Sequence, residues 1–243
     1  MTVDKKLQNY ADISNKIRPV FRHYFLEQYL KPGVWFERQQ NYIKSVAASS
    51  MIGYVLGIGD RHVQNILIDK HTGEVIHIDF GIAFEMGKNL PTPETVPFRL
   101  TRDIVDGMGI SGVEGVFRKS CEKTLEVLRN NQTVILAILE VLLYDPLYSW
   151  NVLSNKKANR RQQQAYLSGG SGDESEAEEG LGVPIRRDIN VTAERTLMQV
   201  EEKLLGQEDN KYISVEGQVQ MLIFNATSKR NLCQVFAGWQ PYL

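Results

Sequence analysis

The spacing of apolar residues over the first fifty-odd positions predicts helices. An apolar cluster beginning at Phe21 has helical spacing, and Lys31-Pro32-Gly33 should end that helix. Gly57 and Gly59 should end the next helix, because glycine accepts the left-handed conformation that a helix end usually needs. The apolar residues of this second helix share one stripe: Ile43, Val46, Ala47, Met51, Tyr54 and Val55.

The pattern then changes to short strands. Two runs rich in β-branched residues, 66–68 and 75–78, flank the turn-forming segment 69–74, so we expect a β-hairpin. The chain from Phe80 to about Asp103 has three prolines and no sustained period. We expect a long loop there, and ordered loops of that length are usually functional.

Two further helices are predicted after Gly112, and the second stops at Asp145-Pro146. Each should bury one apolar face: Val113, Val116, Phe117, Cys121, Thr124, Leu125 and Leu128 in the first, and Val134, Ile135, Ala137, Ile138, Val141 and Leu142 in the second.

The composition changes sharply at residue 155. Residues 155–182 run from basic through Ser/Gly-rich to acidic sequence, which cannot bury a core, so we expect a disordered insertion followed by a helix at about 191–205. Ser214 should then cap a helix in a compact final unit. The aromatic end, Trp239 and Tyr242, is read as a packed tail, with a membrane-dipping tip as the alternative. The predicted fold is mainly α (α+β), with a small antiparallel hairpin and a helical tail.

The amino-acid composition limits the classes of protein to which the chain can belong. The 243 residues are 42% hydrophobic and 23% charged, as in a globular chain of one large domain or one domain with an appendage. Two cysteines cannot form a disulfide framework, which indicates a reducing, intracellular compartment. The net charge of −1 gives no overall case for binding nucleic acid or an anionic membrane. The apolar runs are too short to span a bilayer, so we expect a soluble chain.

The candidate chemistry surrounds the predicted hairpin. Asn65 precedes the first strand and Asp79 follows the second, and these two ends of an antiparallel hairpin share an edge. An amide oxygen and a carboxylate are hard ligands that suit Mg²⁺. Asp60 and His62 lie on the loop before that edge, where they can accept or orient a hydroxyl proton. This layout predicts a phosphotransfer site, although Asp60-Arg61-His62 alone fits a surface helix end and Asn65 alone a turn.

These residues resemble a known family. Asp60-Arg61-His62 with Asn65, and Asp79-Phe80-Gly81, resemble the catalytic loop and metal motif of the phosphatidylinositol 3-kinase-related protein kinases. The segments 90–109 and 113–117 are also similar to that family, and 211–243 is similar to its FATC tail. The resemblance implies a kinase C-terminal lobe at 1–150, with a catalytic loop at 57–65 and an activation loop at 79–101. A regulatory linker at 151–210 and a FATC domain at 211–243 would follow.

The resemblance also implies roles and partners. Asp60 would be the catalytic base, His62 would stabilise the transferring phosphoryl group, and Asn65 and Asp79 would bind the Mg²⁺ (or Mn²⁺) of ATP. The expected activity is phosphorylation of protein Ser/Thr followed by Gln, in nuclear DNA-damage signalling. Expected partners are protein substrates, the upstream N-terminal lobe and helical-repeat region of the parent, and a second parent copy. No direct nucleic-acid contact and no membrane partner are expected.

A protein kinase also needs a glycine-rich loop and a strand lysine on a β-rich lobe, and nothing before Asp60 supplies them. We therefore expect the C-terminal lobe of a longer kinase, a truncated isoform or a truncated gene model, inactive by itself.

Three rival interpretations stay open. A lipid kinase should carry a dense basic box in its activation loop, whereas residues 80–102 contain only Lys88, Arg99 and Arg102. A pseudokinase scaffold should have lost Asp60, Asn65 or Asp79, and all three are present. The third rival is a non-catalytic binding fragment, which an activity assay on the purified chain distinguishes.

Overall fold

The computed structural model describes residues 2–144, 184–208 and 211–242, with side chains from 193 onward in the second range. The chain divides into two compact units. The first unit combines residues 1–130 with residues 203–243, and the second consists of residues 131–202. The described helices are α1 Val3–Lys16, α2 Phe21–Gln28, α3 Pro32–Leu56, α4 Arg102–Gly107, α5 Val116–Asn130, α6 Gln132–Leu143, α7 Pro184–Leu205, α8 Val215–Thr227 and α9 Lys229–Leu232. The strands are β1 Ile66–Ile68, β2 Val75–His77, β3 Gln207–Glu208 and β4 Lys211–Tyr212. The predicted mainly helical fold with a small hairpin is confirmed.

Helix α3 is the centre of the first unit and packs against α5 and β2. Its predicted end is confirmed, because Gly57 is left-handed at φ 59°. The amide of Ile58 donates to the Gly53 carbonyl (2.8 Å), and the Gly57 amide donates to Tyr54 (3.2 Å). This pairing satisfies carbonyls that a helix end otherwise leaves free. Pro32 does not merely stop the preceding helix, since it is in the first turn of α3.

The predicted hairpin is present. Strands β1 and β2 are antiparallel, with Ile66 opposite His77, Leu67 opposite Ile76 and Ile68 opposite Val75. The amide of Val75 donates to Ser45 Oγ of α3 (2.9 Å), so the hairpin is fixed to the central helix. Val75 is buried, whereas Leu67 and Ile76 are 46% and 48% exposed. One face of the hairpin therefore packs on the unit and the other faces solvent.

The expectation that helices resume only after Gly112 was wrong, because α4 begins at Arg102. Two acidic side chains of α4 hold it against the start of α2. Asp103 accepts the Val20 amide and Asp106 accepts the Arg22 amide, each at 2.9 Å. These contacts satisfy amides that the start of α2 would otherwise leave unpaired. A six-residue helix fixed by tertiary contacts has too few turns to show an apolar period.

Helix α5 buries the predicted face, including Phe117, Cys121 and Leu125. The face predicted for α6 was wrong, since Leu139 and Leu143 are its buried residues. Five residues of the predicted face are exposed: Val134, Ala137, Ile138, Val141 and Leu142. Helix α6 is apolar around most of its circumference, so its periodicity could not identify the buried side.

Helix α7 begins at Pro184, earlier than the predicted start at 191. The predicted insertion at 155–182 lies outside the described residues. None of the helices in the described ranges is long and apolar enough to cross a membrane.

The final segment forms a packed tail. Trp239 is 4% exposed and packs with Tyr10 of α1 and with Leu232 and Val235. The packed-tail interpretation of Trp239 therefore holds. The predicted cap is also present, because Ser214 Oγ accepts the Gly217 amide (3.1 Å) at the start of α8.

The cap gives a prediction for the tail. Ser214→Ala should lower the free energy of unfolding by about 1 kcal/mol, because it leaves a helix-end amide unpaired. Ser228→Ala is the matched control, since Ser228 precedes α9 without a side-chain capping bond. Urea unfolding of the 243-residue chain measures both. Equal effects of the two substitutions would show that the Ser214 hydroxyl does not stabilise α8.

Candidate active site

The predicted catalytic loop, residues 57–65, is held in an unusual backbone conformation. Asp60 follows the end of α3 and has φ 56°, in the left-handed region that non-glycine residues rarely adopt. Its carbonyl accepts a hydrogen bond from Asn65 Nδ2 (2.9 Å). Asn65 is 6% exposed, at the end of a 3-10 turn that leads directly into β1. The hairpin therefore supplies a fixed support for the backbone of Asp60.

The guanidinium of Arg61 connects the catalytic loop with the end of β2. Its Nε donates to the Gly59 carbonyl (2.8 Å) and its Nη1 to the Ile78 carbonyl (2.8 Å). Its Nη2 donates to the carbonyl of Asp79. Burial lowers the pKa of Arg61, and the neighbouring carboxylates oppose that effect. One buried side chain thus fixes both segments that carry the candidate catalytic aspartates.

Asn65 and Asp79 lie at the same end of the hairpin. The Ile78 amide donates to the Asn65 carbonyl (3.0 Å), which extends the pairing by one step beyond β1 and β2. Asp79 follows with φ 58°, and its Oδ1 accepts the Gly81 amide (3.0 Å). Asn65 uses its Nδ2 as a donor, so its Oδ1 and the Oδ2 of Asp79 are the oxygens that suit a cation. This pair of hard donors fits Mg²⁺ or Mn²⁺, which bind one or two protein oxygens together with phosphates and water.

Asp60 and His62 present their side chains to solvent beside that end. Asp60 Oδ2 lies 3.9 Å from His62 Nε2, and the two side chains are 41% and 29% exposed. The Gln64 amide donates to His62 Nδ1 (3.2 Å). His62 Nε2 is therefore the nitrogen that carries the proton of the neutral ring. The structure brings these two groups together on an accessible surface next to Asn65.

Sequence reasoning missed three features around the site. The Glu94 carboxylate accepts the Asp60 amide (2.6 Å), across 34 positions of sequence. The exposed Leu67 and Ile76 form an apolar surface on the outer face of the hairpin. The third feature is a contact between Arg99 and the tail. The hairpin register could have indicated the apolar pair of Leu67 and Ile76. The Glu94 hydrogen bond and the Arg99 contact could not be predicted, because both depend on tertiary structure.

Arg99 binds the tail from the end of the activation loop. Its Nη1 donates to the Trp239 carbonyl (2.5 Å), its Nη2 donates to the Gln240 carbonyl (3.2 Å), and its guanidinium lies over the Trp239 ring at 4.4 Å. The Nη1 also contacts the Arg61 carbonyl (3.4 Å). Burial lowers the pKa of Arg99 to about 10, with Asp103 opposing that effect. Arg99 is therefore still a cation at neutral pH, and it joins the tail to the catalytic loop.

Arg102 makes a second contact with the tail. Its Nη2 and Nε donate to the Tyr242 carbonyl at 2.6 and 3.2 Å. The same guanidinium donates to the carbonyls of Ser14 and Ile17 (3.0 and 2.9 Å) near the end of α1. Arg99 and Arg102 together hold the backbone of the tail at residues 239–242.

Comparison with known proteins identifies the class. Residues 1–152 match the family model described as phosphatidylinositol 3- and 4-kinase, and residues 213–243 match the FATC domain model. The chain belongs to the phosphatidylinositol 3- and 4-kinase family and carries a FATC domain.

Several relatives of this chain are named as protein kinases. The chain is 50% identical to "Serine-protein kinase ATM" of Sus scrofa, over 99% of this chain and 8% of the relative. It is 48% identical to "Serine/threonine-protein kinase tel1" of Schizosaccharomyces pombe, over 99% and 8%. The solved "FAT and kinase domain of CtTel1" is 41% identical with a TM-score of 0.80, covering 100% of this chain and 15% of that one. The chain thus spans about a twelfth of the curated relatives' length. These matches confirm the predicted relationship to this group of kinases.

The contact between Arg99 and the tail gives a second prediction. Arg99→Lys keeps the charge but loses the planar donor fork, so it should speed amide hydrogen exchange in residues 236–242 by roughly tenfold or more. Arg230→Lys, at an exposed position of α9, is the control. Exchange measured by mass spectrometry on the 243-residue chain gives the result. Unchanged tail protection in Arg99→Lys would contradict the importance of the fork.

Proposed function

We propose that this chain is the C-terminal catalytic lobe and FATC tail of a serine/threonine protein kinase. The reaction transfers the γ-phosphate of ATP to a protein Ser or Thr followed by Gln. The observation that carries the proposal is the hairpin end, where Asn65 and Asp79 lie beside the loop of Asp60 and His62. We place the catalytic lobe at 1–150, a regulatory linker at 151–210 and the FATC domain at 211–243.

Each site residue has a distinct task in this proposal. Asn65 and Asp79 hold Mg²⁺ or Mn²⁺, which neutralises phosphate charge when bound. The Asp60 carboxylate accepts the proton of the substrate hydroxyl. The Nε2–H of His62 faces the same space and donates to the transferring phosphoryl group as negative charge develops there. Arg61 keeps the two aspartates in register without contacting substrate.

The outer face of the hairpin gives the nucleotide an apolar surface. Leu67 and Ile76 are a cross-strand pair, and Ile78, also 40% exposed, is next to Asp79. An apolar surface adjoining a candidate metal site suits the adenine of ATP, whose phosphates would then meet the cation held by Asn65 and Asp79. An N-terminal lobe supplied by the parent kinase would cover this surface and add the phosphate-binding lysine.

The basic residues of the activation loop favour a protein substrate over an inositol lipid. Lys88 forms an ion pair with Glu85 (2.6 Å). Arg99 and Arg102 donate to carbonyls of the tail, and Arg99 is buried. All three cations therefore have internal partners, which leaves no basic box for a phosphorylated headgroup in this loop.

The partners and setting belong to the same proposal. The dimeric solved structures, such as "Complete CtTel1 dimer with C2 symmetry", support a homodimeric parent. An upstream helical-repeat region of that parent is a further partner in this proposal. The relationship further supports a nuclear role in DNA-damage signalling, with protein substrates as direct partners. The second candidate function, a non-catalytic binding fragment, applies to the chain separated from its N-terminal lobe.

The metal site can be tested in the kinase that joins this lobe to its N-terminal lobe. Asp79→Ala should lower phosphorylation of a Ser-Gln peptide by roughly a thousandfold or more without unfolding the protein, because it removes a metal ligand. Asp69→Ala, at the other end of the hairpin, should leave the rate within about threefold. A fully active Asp79→Ala enzyme would refute the assignment. Phosphatidylinositol vesicles tested in parallel should give no product, and lipid phosphorylation would favour the lipid-kinase alternative.

The chain alone should be inactive. Without a lobe to cover the nucleotide and clamp its phosphates, the rate should fall by roughly a thousandfold or more. We expect no measurable phosphorylation of a Ser-Gln peptide by residues 1–243 with MgATP, at concentrations where the complete kinase turns over readily. If the chain does phosphorylate the peptide, and its Asp60→Ala variant does not, the N-terminal lobe is less necessary than this mechanism requires.

A further inference from the structure

The Glu94 carboxylate bridges the activation loop and the catalytic loop. Its Oε1 accepts the Asp60 amide at 2.6 Å. The Glu94 amide donates in turn to the Gly87 carbonyl (3.1 Å), which ties the residue to the 3-10 turn at Met86–Asn89. The side chain therefore reaches from one loop to the backbone of the other.

The bonds around Asp60 show why this contact matters. The left-handed region is sterically unfavourable for a non-glycine residue, so the surroundings of Asp60 must hold it there. The Asp60 carbonyl is held by Asn65, and the Gly59 carbonyl is held by Arg61. The Asp60 amide is held by Glu94. A hydrogen bond to a carboxylate is roughly twice as strong as one between neutral groups.

Two glycines allow the carboxylate to approach this closely. A Cβ atom at Gly59 would lie 2.6 Å from Glu94 Oε2, and one at Gly87 would lie 2.5 Å from the same oxygen. Both distances are shorter than carbon–oxygen contacts allow. The catalytic loop and the 3-10 turn are thus shaped around this carboxylate from two sides.

The Glu94 carboxylate points to the backbone of Asp60, which does not suit it to act as a second base. Burial raises the pKa of Glu94, whereas the hydrogen bond from the Asp60 amide lowers it. The negative charge of Asp60 acts in the same direction as burial, and the cation of Arg61 opposes it. Glu94 Oε1 accepts the Asp60 amide, and Oε2 lies close against Gly59 and Gly87. Both oxygens are thus enclosed by the two loops, which leaves Asp60 as the carboxylate that meets substrate in the proposed function.

We propose that Glu94 is a positioning residue for the catalytic base. By holding the Asp60 amide, it fixes the Asp60 carboxylate in its left-handed conformation and makes the catalytic loop dependent on the folded state of the activation loop. The backbone part of this inference stands on the geometry alone, and its effect on catalysis rests on the proposed kinase function.

The first experiment needs no activity. Amide hydrogen exchange at Asp60, followed by NMR in the 243-residue chain, should be at least roughly tenfold faster in Glu94→Ala. Glu94→Gln keeps a side-chain oxygen as acceptor and should retain most of the protection. Glu74→Ala, at an exposed turn position, is the control. Equal exchange in the wild type and Glu94→Ala would overturn the proposal.

The second experiment uses the kinase that joins this lobe to its N-terminal lobe. Glu94→Ala should lower kcat by roughly tenfold to a hundredfold and leave KM for MgATP within about threefold, and Glu94→Gln should recover most of kcat. Gly87→Ala displaces the same carboxylate, and the three atoms nearest to a Cβ there all belong to Glu94. Combining it with Glu94→Ala should therefore cost little more than either change alone. Additive losses, or a wild-type kcat in Glu94→Ala, would overturn the positioning role. If the wild-type kinase itself fails to phosphorylate the peptide, the proposed function fails and the exchange experiment decides the role of Glu94.

Discussion

The buried guanidinium of Arg61 is the interaction on which the site geometry depends. Asp60 and Asp79 both have left-handed backbones, which are unfavourable for aspartate by themselves. Arg61 donates to the carbonyls of Gly59, just before Asp60, and of Asp79 itself. A buried guanidinium is stable only when its N–H groups donate to well-placed acceptors. The carbonyls therefore fix the position of Arg61, and Arg61 in turn fixes the backbone of the site.

A second arginine extends this arrangement to the tail. The Nη1 of Arg99 contacts the Arg61 carbonyl and the Trp239 carbonyl, and Trp239 lies 140 positions after Arg99 in the sequence. The FATC segment therefore contributes to the same packed unit as the catalytic loop. Tyr10 of α1 packs against Trp239, so the tail also covers the start of the chain. A disturbance of the tail should reach the catalytic loop through Arg99, and also through the loop before it, where Thr95 Oγ1 donates to the Asn231 carbonyl (2.7 Å).

Much of this fold could be predicted because the signals are local. The αL glycine that ends α3, the paired strands of the hairpin and the Ser214 cap each depend on a few neighbouring residues. The buried side of α6 could not be predicted, because its sequence is apolar on most sides and only tertiary packing selects Leu139 and Leu143. Helix α4 was missed for a related reason, since its acidic side chains accept hydrogen bonds from amides at the start of α2, 83 and 84 positions earlier in the sequence.

The candidate site divides in the same way. The hairpin register places Asn65 and Asp79 at one end, as the sequence pattern predicts, while their roles stay a proposal. Glu94 carries no local signal, because an isolated glutamate in a proline-containing loop is typical of a solvated position. Its partner is an amide 34 positions earlier, and only the folded activation loop brings the two together. Groups that meet substrate belong to recognisable motifs, whereas groups that hold those motifs in place are spread along the chain.

The distribution of charge and apolar surface bears on the part of a kinase site that this lobe would provide in the proposed function. Arg61, Arg99 and Arg102 donate to backbone carbonyls, so their charge stabilises the lobe and does not face the hairpin's outer surface. That surface carries Leu67 and Ile76 instead. An exposed apolar pair next to oxygen ligands can position the base of a nucleotide and its metal, but it offers no cation to clamp the phosphates. In the proposed function, the positive charge that phosphotransfer needs would therefore come from the metal and from an N-terminal lobe above the hairpin, so the candidate catalytic carboxylate and metal ligands would not make this lobe a complete catalyst by themselves.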